Sequence, residues 1–149
     1  AHIELRSDHL LVPAYFDWLA ARGIGHVFSH WTWLPPIREQ WVRCGQRFTA
    51  RDGNAVARLL TPLRMKYEEA YALAYPFDRP VPALSETPAA RNMILDATAL
   101  VFQAERQDAL LNLILNNRAW GNAPSLAQAI AYRILDEEAR RTRQDATRP

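Results

Sequence analysis

Strand-like and helix-like segments alternate along the whole chain, and this alternation limits the possible folds more than any other feature. Residues 2–7 alternate polar and apolar side chains at period two, as a half-buried strand does. Residues 13–22 read as a helix: Pro13 suits a first turn, Phe16, Leu19 and Ala20 share a face, and Gly23 offers a C-cap. Residues 25–31 are strand-like again. A long connection, 32–54, follows and contains Pro35-Pro36 and Asp52-Gly53-Asn54. Connections of this length are commonly functional or mobile, but Trp33, Trp41 and Phe48 predict that part of it packs down.

Residues 55–61 give a third strand and residues 66–74 a short helix. Pro76, Pro80 and Pro82 predict a stretch without regular structure. Thr87 as N-cap and Pro88 in the first turn open a strong helix with apolar residues at 93, 94, 97, 100 and 101. Residues 110–116 are the fourth strand. Pro124 opens a last helix, from Ser125 to about Arg140, and the polar tail 141–149 is expected to fray. Strands joined through helices predict an α/β fold with a parallel sheet, built as one domain over 1–149.

The sides of the strands carry the next inference. His2, Glu4 and Arg6 share one face of the first strand, whereas a sheet covered by helices on both faces would be apolar on both. A polar face points to a barrel interior or a ligand face. Parallel α/β folds place ligands at the C-terminal ends of their strands. Arg6, His30, Trp31, Arg58, Asn116, Asn117 and Arg118 all lie at or near such ends, so they form the expected site. Arg6 and Arg58 are expected to bind carboxylate or phosphate, because guanidinium groups hold both bidentately. Glu4 or His30 would transfer protons, and Asn116 and Asn117 would orient the ligand. Each has a plainer alternative: Glu4 and Arg6 as a structural ion pair, the two asparagines as caps of a turn, Trp31 and Trp33 as packing.

Other chemistries find less to rest on. His26 and His30 share a strand face but stand about 13 Å apart, too far to chelate one ion together. Cys44, the one cysteine, has no activating base beside it and no partner for a disulfide or zinc pair. No G-x-S-x-G, P-loop, G-x-G-x-x-G or H-E-x-x-H motif occurs. Neither a metal nor a cofactor is therefore expected. The formal net charge of +2 is small for a nucleic-acid partner, although 17 of the 18 basic residues are arginine. No apolar run is long enough to cross a membrane, and no secretory signal is visible. With a lone thiol, a reducing, cytoplasmic compartment is expected. The first residue is not methionine and the chain opens almost inside a strand, which predicts a piece of a longer polypeptide or a removed tag.

One segment is distinctive: Leu113-Ile114-Leu115-Asn116-Asn117-Arg118-Ala119-Trp120-Gly121-Asn122-Ala123-Pro124. It resembles the closing strand and turn of the YecE-like proteins, the family called domain of unknown function 72. Ile3-Glu4-Leu5-Arg6-Ser7, His26-Val27-Phe28-Ser29-His30-Trp31-Thr32, Val56-Ala57-Arg58-Leu59-Leu60 and Tyr75-Pro76-Phe77-Asp78-Arg79 are similar to further segments of that family, in the same order. The resemblance implies a TIM-like (β/α)-barrel of which this chain holds the C-terminal half, about four strands. It carries over Glu4, Arg6, Arg58, Asn116, Asn117 and Gly121, the last as a structural turn residue. It names no reaction. A half-barrel leaves two sheet edges open, so a complementary half or a second copy of the chain is the expected partner. Two classes of function follow. One is a ligand-binding barrel, an enzyme of hydrolase or lyase type included, acting on a small polar or anionic molecule. The other is a binding or assembly module without turnover.

Overall fold

The computed structural model describes residues 1–146. Four strands, β1 (His2–Ile3), β2 (Gly25–His30), β3 (Asn54–Leu59) and β4 (Leu110–Leu115), form one sheet in chain order. All three pairings are parallel, as the alternation predicts. Six helices flank the sheet: α1 (Pro13–Arg22), α2 (Ile37–Arg43), α3 (Tyr67–Ala74), α4 (Pro82–Ser85), α5 (Pro88–Arg106) and α6 (Ala123–Ala146).

The helix ends follow local chemistry. Pro13 and Pro88 occupy first turns, where the missing N–H is no loss. Gly23 ends α1 in the left-handed conformation. The Thr87 hydroxyl accepts the Ala90 N–H at 3.0 Å and so caps α5.

Four boundaries depart from the sequence reading. The connection 32–54 is not irregular throughout, because α2 lies inside it with Ile37, Gln40 and Trp41 buried. The proline stretch holds α4, with Pro82 in its first turn. β1 ends at Ile3 rather than continuing to Ser7. The Gln40 amide instead takes both backbone groups of Ser29, its Oε1 accepting the N–H at 3.2 Å and its Nε2 donating to the carbonyl at 2.8 Å. Helix α6 continues past Arg140 to Ala146, with Arg140–Asp136 and Arg141–Glu137 pairs four residues apart along it. The rest of the tail, 147–149, lies outside the described residues.

The core sits on one face of the sheet. Phe28, Ala57 and Leu59, with Leu111, Leu113 and Leu115, pack against Phe16 of α1, Ile37 and Trp41 of α2, Met93, Ala97 and Leu100 of α5, and Leu126 and Ile130 of α6. Alternation along the strands sends the intervening side chains to the other face. There Val27 stands opposite Val56, which stands opposite Asn112, while Ser29, Arg58 and Ile114 form the next row. At β4 this second face is bare: Leu110 is 67% exposed and Ile114 47%. The fold is thus α/β, with a parallel four-stranded sheet covered by helices on one side, the arrangement of a half-barrel. No helix among the described residues is long and apolar enough to cross a membrane.

Candidate functional site

The second face, bare at β4 but closed over at β2 where Val27 and Ser29 are buried, carries a charged cluster where the strands end. Ser29 and Arg58 are both fifth of six residues in their strands, and they are register partners. Glu4, just past β1, reaches both: one carboxylate oxygen accepts the Ser29 hydroxyl and the other accepts Arg58. The Arg58-bound oxygen also accepts Arg6 Nη2 at 3.1 Å. Glu4 is mostly buried, its side chain 15% exposed. The Arg6 guanidinium lies over the Trp31 ring, 4.6 Å from its centroid, which adds a cation–π contact. Glu4, Arg6, Trp31 and Arg58 therefore gather as the sequence predicts, and Ser29 joins them. Ser29 was legible only through register, because it faces Arg58 across the β2–β3 pairing.

His30 does not join them. It follows Ser29 by one residue and so faces the helices. Its ring is buried, and Nδ1 lies 2.8 Å from the Thr61 carbonyl, which fixes the proton on that nitrogen. The rest of its surroundings, Pro62, Leu84, Ala89, Ala90, Met93 and Ala119, enclose a void of about 10 Å³. Burial lowers its pKa to about 4. The expected proton-transfer role of His30 has no neighbour on the charged face to act upon. His26 lies with His30 on the helix-covered face, in an aromatic nest, its ring 4.8 Å from Phe28 and 5.2 Å from Phe16.

The asparagines act locally, as turn caps. Asn116 Oδ1 accepts the Arg118 N–H at 3.0 Å, and Asn117 Oδ1 accepts the Ala123 N–H at 2.8 Å. Asn122 joins the turn to the proline stretch, donating to the Phe77 carbonyl at 3.0 Å. Arg118 is turned toward α3, its guanidinium 4.4 Å from the Tyr67 ring centroid. Gly121 adopts φ +99°, and a Cβ there would meet the Arg79 carbonyl oxygen at 2.6 Å. The segment that carried the family resemblance is thus a tightly self-bonded turn, and Gly121 is its structural residue. Cys44 is buried, donates toward the Trp41 and Arg47 carbonyls, and burial raises its thiol pKa. Among the described residues, no group of three His, Cys, Asp or Glu is placed to hold a metal.

A cleft of about 560 Å³ opens between α2 and the loops that follow β1, β2 and β3. Asp8, Thr32, Trp33, Glu39 and Arg64 line it, with Leu34, Pro35, Pro36 and Leu63. Asp8, Thr32, Glu39 and Arg64 are not among the residues expected from the sequence to form a site, although the rule that ligands sit at strand C-termini covers their loops, and Trp33 is expected there to pack down. Trp33 is not packed away, being 62% exposed. No family model matches the chain, and no curated protein or solved structure matches it either.

Proposed function

We propose that this chain supplies four strands of a YecE-like (β/α)-barrel and that its bare sheet face is the inner wall. A complementary half closes the barrel, and a second copy takes that place when the chain is alone in solution. At the mouth of this wall Arg58 and Arg6 bind a small oxyanion, a carboxylate or a phosphate. Both oxygens of Glu4 are occupied by donors, so its part is to position the two arginines.

One observation carries this reading: the face left free of helices is also the face that bears charge at its C-terminal end. Two guanidinium groups share one carboxylate there, so the cluster retains one positive charge. Ligand sites of α/β barrels occupy this end. A module that only assembles is the second reading, favoured by the exposed Leu110 and Ile114 side chains. Turnover of hydrolase or lyase type has less support, since His30 faces the helices.

Anion binding separates the two. Inorganic phosphate at about tenfold above its Kd stabilises the native state by about 1.4 kcal/mol, a melting shift of roughly 3–6 °C. Arg58→Ala is expected to lose most of this shift, and Arg91→Ala, exposed on α5, to keep it. A full shift in Arg58→Ala, or none in the wild type, removes the anion reading and leaves assembly.

A further inference from the structure

The cleft between the first three strand-to-helix loops has its own chemistry, distinct from the Glu4–Arg58 cluster. Arg64 follows β3 and holds φ +64°, a conformation that side-chain-bearing residues seldom adopt. It is held there by its neighbours. The Arg64 N–H donates to the Thr32 carbonyl at 3.1 Å, and the Thr32 hydroxyl is bonded to the Met65 carbonyl and to Thr61 Oγ1. The loop after β3 is thereby tied to the loop after β2. Its exposed Arg64 guanidinium pairs with no group among the described residues.

Trp33 lines the same cleft, and its indole stacks on no described aromatic ring or cation. An indole left this exposed offers a flat apolar platform. The acidic side is different again. Asp8 and Glu39 both bond to the single guanidinium of Arg43, so two carboxylates share one cation and retain acceptor capacity. The cleft therefore presents a stacking surface, an unpaired cation and hydrogen-bond acceptors around one volume of about 560 Å³. That lies within the usual range for small-molecule sites, about 300–1,000 Å³.

We infer that this cleft binds a planar ring joined through a hydroxyl-bearing spacer to an oxyanion, the chemistry of a nucleoside monophosphate. The ring stacks on Trp33, the oxyanion meets Arg64, and the spacer hydroxyls donate to Asp8 and Glu39. All three parts contribute, so a probe lacking one part binds more weakly.

Titration calorimetry with adenosine monophosphate, adenosine and ribose 5-phosphate tests this. Adenosine monophosphate is expected to bind at least tenfold more tightly than either fragment. Arg64→Ala is expected to weaken it at least tenfold while leaving adenosine unaffected, and Trp33→Ala to weaken adenosine while sparing ribose 5-phosphate. Both side chains are exposed, so neither variant threatens folding. Arg58→Ala removes the phosphate site on the sheet, and the advantage of adenosine monophosphate over its two fragments should persist in it, which separates the two sites. Equal affinity for all three probes, no binding by any, or undiminished binding in Arg64→Ala overturns the inference.

Discussion

Acidification from pH 7 to about 4.5 is expected to cost on the order of 2–3 kcal/mol of stability for each of two histidines. His26 and His30 are buried, and burial lowers both pKa values from 6.5 to about 4. The sign follows from where the proton is welcome. In the unfolded chain each imidazole takes up a proton near 6.5, whereas in the native state it stays neutral until about 4. Between those values the unfolded state binds more protons, so stability falls as the pH falls through the window.

The structure shows why the charged form is excluded. His26 Nδ1 lies 3.2 Å from the Tyr15 hydroxyl, but its buried Nε2 has no hydrogen-bond partner. Burial outweighs the Gln40 side chain and the Glu4 carboxylate, both of which favour the charged ring. His30 is flanked by apolar side chains apart from the Thr61 carbonyl. Asp96, whose carboxyl is held above its ordinary range by burial, opposes the trend and offsets part of it. Urea denaturation at the two pH values checks this, with a markedly lower unfolding free energy expected in acid. Equal values would show that the histidines titrate normally in the native state.

Gly121→Ala is the second large effect, a loss of about 3 kcal/mol combining overpacking with backbone strain. A Cβ at Gly121 would stand 2.6 Å from the Arg79 carbonyl oxygen and 2.8 Å from the Val81 backbone nitrogen. Those are main-chain atoms and cannot swing aside. The Val81 N–H also donates to the Trp120 carbonyl at 3.0 Å, so separating the segments breaks a bond as well. Trp120 and Ala119 next to it belong to the core. Gly45 makes the control. It too has positive φ, +71°, but a Cβ there meets nothing nearer than 4.0 Å. Gly45→Ala should therefore cost only the backbone preference, about 1 kcal/mol. Similar losses in both variants would mean that the close approach at Gly121 carries no energy.

The sequence disclosed the number and direction of the strands because hydrophobic periodicity and turn residues are local signals. Helix α1 has the predicted bounds because Pro13 and Gly23 mark both ends. Two short helices escaped for a related reason. Proline reads as a breaker, yet Pro36 precedes α2 as its N-cap and Pro82 sits in the first turn of α4, positions where proline does no harm. The site was half legible. Period two groups Glu4 with Arg6 and separates Ser29 from His30, but only register says which of that pair stands opposite Arg58. His30 ends its strand beside Ser29, so strand-end position alone groups it with Arg58, and only the pairing separates them. Arg64 and Trp33 escaped because a tertiary bond, from Arg64 to the Thr32 carbonyl, brings their loops together.

The bare sheet face is the centre of this account, and sedimentation equilibrium on the wild type and on Ile114→Glu tests it most directly. A face with Leu110 and Ile114 in the open, between two unpaired parallel edges, is expected to close against a second copy. The wild-type chain should then sediment at twice its monomer mass. Ile114→Glu, which places a charge in the middle of that face, should sediment as a monomer with its helical circular dichroism intact. A wild-type chain that remains monomeric at tens of micromolar would contradict closure of the barrel by a second copy.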